Sequence, residues 1–165
     1  MPDLITHSCV AYGLSVLCRN RWHSPVVVGA LMPDVLSRVP SMVLSHLRTL
    51  EPAIPLWAID MWGPLHLPVG MCISSAILAS LWVKGLWGRI FWLSLLGQAS
   101  HLIIDLGQDH VTGGYALGFP IWNTPVELGW YGTEASVWLA PILLLAVVTH
   151  WRLQSGPQDT GTDPA

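Results

Sequence analysis

Two apolar runs constrain this 165-residue chain more than any other feature. One covers residues 65–83 and contains MCISSAILASLWV; the other covers residues 86–106 and contains IFWLSLLGQASHLIIDL. A helix needs about 20 apolar residues to cross a bilayer, and each run meets that length. A third run, 135–151, is slightly shorter and rich in Leu, Val and Ala. Two shorter runs, 4–17 and 25–36, precede them and would span only with help from their flanks or as a tilted hairpin. The expectation is an all-α integral membrane bundle of about five helices, three of them full spans, occupying residues 1–154 as one domain.

Composition agrees. The chain is 52% hydrophobic and 10% charged, against roughly 25% charged for a soluble domain. Seven Lys and Arg make no nucleic-acid footprint, so nucleic acid is excluded as a partner and the bilayer is the expected one. Ten Trp suit interfaces, where the ring is half wet. Cys9, Cys18 and Cys72 lie in apolar runs without CxxC spacing and read as buried small hydrophobes. The opening MPDLITH has no basic residue before its apolar run, which makes a poor signal peptide and keeps His7 in the mature chain.

Residues 37–63 hold three prolines and 107–133 six glycines, so both read as loops outside the hydrocarbon. The tail 155–165 is polar and reads as disordered. Threading five helices puts Arg19, Arg21, Lys84, Arg89 and Arg152 on one side, and only Arg38 and Arg48 on the other. The positive-inside rule makes the first side cytoplasmic, in a multi-pass protein of the inner membrane with both long loops extracytoplasmic. Trp22, Trp82, Trp87 and Trp151 then mark the inner boundary; Trp62, Trp130 and Trp138 mark the outer one.

The same threading gathers the remaining ionisable groups. His7 starts the first helix, Asp34 ends the second, His66 starts the third, and His101 and Asp105 close the fourth. Alternating helix directions bring all five to the extracytoplasmic end. His101 and Asp105, at i and i+4, share one helix face about 6 Å apart, within reach of one ion. An intramembrane carboxylate is costly unless paired or ligating. Pro33 predicts a kink or break that would leave Asp34 at a helix end. Each residue alone also reads as a boundary group or a helix-fastening hydrogen bond; the convergence is the argument.

Three imidazoles and two carboxylates form a nitrogen–oxygen ligand set suited to Zn²⁺, Mn²⁺ or Fe²⁺ rather than Ca²⁺. Two such ions bridged by a carboxylate could clamp a phosphoryl group and activate water. Asp109, His110, Glu127 and Glu134 lie near enough in sequence to contribute, and read more simply as loop groups. His46 and Asp60 are less constrained still, and His23 and His150 fall at the opposite end.

The ordered motifs MPDLITH, GALMPD, HLPVG and SHLIID, followed by a Gly-rich loop, resemble the YdjM-like family of membrane-bound metal-dependent hydrolases over residues 1–120. The ligand order is also similar to that of zinc-dependent phospholipase C and its nuclease relatives. That resemblance implies Asp34, His66, His101 and Asp105 around a first metal, and His7 with Asp105 at a second. It implies catalytic roles for Asp34 and Asp105 and a lipid or phosphoester substrate. This chain departs from the pattern in lacking that group's N-terminal Trp and its later HxxxE. His150 is followed by Gln154, on the wrong side. The competing expectation is a non-catalytic helical membrane protein whose His/Asp cluster is structural or binds a partner. A transporter fits less well, because its polar groups should sit near the midplane.

Overall fold

The computed structural model describes residues 4–19, 21–82, 84–109, 114–132 and 135–154. Its helices are α1 (Leu4–Leu17), α2 (His23–Leu50), α3 (Leu56–Asp60), α4 (Pro68–Ser80), α5 (Trp87–Gly107) and α6 (Ala135–Gln154). A 3-10 turn, Gly63–His66, precedes α4. No strand forms among the described residues; the Gly-rich segment makes only the isolated bridges Gln108–Tyr131 and Tyr115–Val126. The tail 155–165, His110 and Glu134 lie outside the described residues.

Three expectations about the elements are corrected. Among the described residues there are six α-helices rather than five, because α3 forms inside the stretch read as a loop. Most of that stretch is not a loop: α2 runs for 28 residues, through Pro33 and Pro40, to Leu50. Each proline removes one backbone donor, yet Val39, Met42, Val43 and Leu47 continue the apolar pattern beyond them. The hydroxyls of Ser37 and Ser41 bond back to the carbonyls of Pro33 (2.6 Å) and Ser37 (2.8 Å), a pattern common in bent helices. Asp34 therefore lies inside α2, not at its end.

The run 65–83 is the third correction. Its helix begins at Pro68 and is bent by 77° from the residues before it. Pro68 disfavours helical backbone at the preceding residue, and Leu67 is accordingly extended (φ −98°, ψ 162°). His66 thus sits on a turn that crosses the bundle end, instead of on the first turn of a straight helix.

Two described helices, α2 and α5, are long and apolar enough to cross a membrane, or three spans if the bent pair counts as one. Burial follows the logic of a lipid-exposed bundle. Ile73, Ile77, Trp92, Ile103 and Leu145 are exposed, while Ser15, Ser74, Ser75, Ser94 and Gln98 are buried. In water that would be an inverted protein; in hydrocarbon, polar groups turn inward and bond across helices. Gln98 on α5 donates to Ser75 Oγ (2.7 Å) and accepts from Ser74 Oγ (2.9 Å), fastening α4 to α5. The expectation that all three cysteines are buried holds only for Cys9; Cys18 and Cys72 are exposed.

Helices α2 and α5 form the central pair, with α1 against both. The pair approaches closely because small residues meet at the crossing. A Cβ on Gly97 would collide with the backbone of Val26 and Ala30, and one on Gly29 with that of Ser94. This contact fixes the rotation of α5 about its axis. His101 follows Gly97 by about one turn, so the crossing decides where the HxxxD face points.

Candidate metal centre

Asp34 from α2, His66 from the turn, and His101 and Asp105 from α5 are all buried, and their ligand atoms lie within 4.8 Å of one another. His66 Nε2 is 2.9 Å from Asp105 Oδ2 and 3.2 Å from His101 Nε2. His101 Nε2 is 3.5 Å from Asp105 Oδ2 and 3.7 Å from Asp34 Oδ1. Bonds of about 2.0–2.2 Å in a tetrahedron separate ligand atoms by roughly 3.3–3.6 Å. The observed spacings bracket that range, so the four residues can hold one metal ion.

The hydrogen bonds support the same reading. Ser37 Oγ gives its single hydrogen to the Pro33 carbonyl, which leaves it to accept at 3.3 Å from His66 Nδ1. A proton held on Nδ1 leaves the Nε2 lone pair directed into the cluster, as a ligating imidazole requires. The His66 and His101 Nε2 atoms face each other at 3.2 Å, a pair in which two N–H groups would repel. Asp105 Oδ1 and His7 Nε2 are buried and face each other at 3.2 Å outside hydrogen-bond geometry. Such a buried pair calls for a counter-group, which a metal cation would supply.

His7, in the first turn of α1, approaches the other oxygen: its Nε2 is 3.2 Å from Asp105 Oδ1. Its ring stacks on His101 with centroids 3.7 Å apart. Asp105 therefore faces His66 and His101 through Oδ2 and His7 through Oδ1, the posture of a bridging carboxylate. All five residues singled out in the sequence thus meet at one place.

Two residues not anticipated join them. Arg38, one turn after Asp34, places Nε 2.6 Å from Asp34 Oδ1 and an Nη 3.3 Å from Asp105 Oδ2. The DVLSR spacing is the same i,i+4 relation as HxxxD, and ending the helix at residue 36 hid it. Tyr115, from the Gly-rich segment, donates to Asp105 Oδ2 at 2.8 Å and stacks on His66 with centroids 5.1 Å apart. Burial, then the adjacent Asp105 charge, push the Tyr115 phenol well above its ordinary pKa, so it remains a proton donor. Nothing in the local sequence separates Tyr115 from Tyr131, whose hydroxyl instead bonds the Ile104 carbonyl.

The remaining candidates lie elsewhere. Asp109 is exposed, its backbone N–H bonded to the Tyr131 carbonyl at 3.0 Å. Glu127 is half-buried in the segment that returns over α5, and His46 and Asp60 are exposed. His23 and His150 flank Tyr12 toward the other end of α1. No family model, no curated protein and no solved structure matches the chain.

Proposed function

We propose that this chain is a membrane-embedded, metal-dependent hydrolase of phosphoester or lipid-linked substrates, with zinc as its resident metal. The observation that carries the reading is the convergence of His66, His101, Asp34 and Asp105 at ligand spacing in a buried site. The ordered motifs that resemble the YdjM-like family add to it. The mixed imidazole–carboxylate set favours zinc, with manganese or iron as the alternatives.

A divalent ion held by these residues would supply a water whose pKa falls to about 7 and an electrophile for the phosphoryl oxygen. The protein's own part is positional. His66 and His101 would hold the ion through Nε2, with Ser37 accepting from His66 Nδ1. Asp105 spans the two sides of the site, and the Asp34 carboxylate oxygen not used for ligation would accept the proton that the attacking water releases. The Tyr115 segment covers the end of α5 and limits bulk water. The distribution of basic residues supports a site on the extracytoplasmic side of an inner membrane.

A second reading has its own support: Arg38 already bridges Asp34 and Asp105, so the cluster could fasten helices without metal. Elemental analysis of protein purified in detergent separates the two. We expect at least one equivalent of zinc, lost in H101A and D105N with helical content retained, and cleavage of bis-p-nitrophenyl phosphate that depends on the metal. Metal-free wild-type protein together with an unfolded H101A would establish the fastening role instead.

A further inference from the structure

Among the described residues Arg38 is the one permanent cation in the centre, and it stands at its edge. Its side chain is 24% exposed, whereas Asp34 is 8% exposed and Asp105 fully buried. Two carboxylates and one guanidinium leave one net negative charge. Imidazoles ligate in their neutral form, so one divalent ion turns that sum to one net positive charge, and a second ion raises it further. Once the carboxylates bind metal, their hold on Arg38 weakens, and the partly exposed guanidinium is left beside a cationic site. A guanidinium carries five donors in a rigid fork, more than its two carboxylate contacts use. The Tyr115 hydroxyl, on the same Asp105 oxygen that Arg38 touches, adds a neutral donor.

We infer that Arg38, with Tyr115 beside it, is the anion-recognising pole of this centre, and that its ligand is a phosphoryl oxyanion. The inference rests on the metal-centre reading above. A neutral ester or amide would leave the cationic site and the guanidinium uncompensated, whereas a phosphoryl group offers one oxygen to the metal and two to the fork. Recognition needs Arg38 to turn from Asp34 and Asp105 toward its exposed side, so metal loading and anion binding are coupled. The metal-free protein, with Arg38 held by both carboxylates, has little affinity for the anion.

Calorimetric titration of the full chain in detergent, zinc-loaded and zinc-free, tests this with inorganic phosphate and with dihexanoyl phosphatidate. Loaded wild-type protein should bind phosphate and the zinc-free protein should not. R38Q should keep its zinc and lose about 10- to 100-fold in phosphate affinity, the range for a charge-assisted hydrogen-bonded contact. R38K should fall between them, because it keeps the charge without the fork. Equal phosphate affinity in R38Q and wild type overturns the inference, as does loss of zinc in both R38Q and R38K, which would make Arg38 part of the metal scaffold. Tighter binding of phosphatidate identifies a lipid headgroup as the source of the phosphoryl group, and equal binding a free phosphate; either supports the inference. Arg38-dependent phosphate binding without turnover of bis-p-nitrophenyl phosphate would remove the hydrolase reading and leave this one standing. Turnover with Arg38-independent binding would do the reverse.

Discussion

The chain holds two His-containing clusters along α1, and only one has the form of a metal centre. Near the helix start, His7 joins His66, His101, Asp34 and Asp105, all buried, with ring nitrogens crowded on carboxylate oxygens. Toward its end, His23 Nδ1 meets Ser15 Oγ at 2.6 Å and His150 Nδ1 meets Tyr12 Oη at 3.3 Å. Gln154 Nε2 lies 3.2 Å from His150 Nε2. There each imidazole is half-buried and finds a neutral partner with which to share one proton. In the first cluster the imidazoles compete for one carboxylate and face each other. Imidazoles near one another are therefore not a metal site by themselves. What distinguishes the first cluster is two buried carboxylates among ring nitrogens at ligand spacing.

The strongest way to break the comparison is to remove Asp105, the one group shared by every other member. D105N should abolish stoichiometric metal, a loss of more than about 100-fold in affinity, since even outer partners of a metal site are worth 10- to 100-fold. It should also lower thermal stability, because Arg38 loses a buried counter-charge and breaking such a pair costs about 3–5 kcal/mol. Elemental analysis and thermal melts in detergent read both effects; full zinc content in D105N would dissolve the distinction between the clusters.

The α2–α5 crossing comes next. G97A places a methyl against the Val26 carbonyl and must spread the two helices. Overpacking of this kind costs about 1–3 kcal/mol, and the displaced HxxxD face should weaken zinc binding along with the melting temperature. A melting temperature equal to wild type would show that the crossing has room to yield.

Ser37 offers a finer probe. S37A removes the acceptor for His66 Nδ1 without touching a ligand, and should weaken zinc by about 10- to 100-fold while leaving the fold intact. Competition against a chelating dye measures it; an unchanged constant would mean that Ser37 does not set the His66 tautomer.

The smallest effect belongs to the second cluster. H23A and H150A should leave zinc stoichiometry and affinity within about twofold of wild type, since distant sites contribute independently. A zinc loss in either variant, read by the same elemental analysis, would show that the two ends of α1 are linked.

Much of the centre was legible before the fold. HxxxD on an apolar run put His101 and Asp105 on one face, because helical periodicity needs no tertiary information. Alternation of helix direction put His7, Asp34 and His66 at the same end. The errors concentrate at prolines. Pro33 and Pro40 read as a boundary, whereas α2 runs through both, packed on its neighbours as far as Ser37. Pro68 read as part of a span, and in fact turns the chain so that His66 crosses the bundle end.

The sequence by itself determined that His7, Asp34, His66, His101 and Asp105 can carry chemistry here and that His101 and Asp105 share a helix face, since residue type and helical period are local properties. The tertiary structure decided the azimuth. How far α5 rotates at the Gly29–Gly97 crossing, that α2 continues far enough to bring Arg38 beside Asp34, and that Tyr115 rather than Tyr131 reaches Asp105 all depend on contacts between segments distant in the chain. Those contacts set side-chain positions to a fraction of an ångström. That is the scale on which a gathering of His and Asp becomes a ligand set.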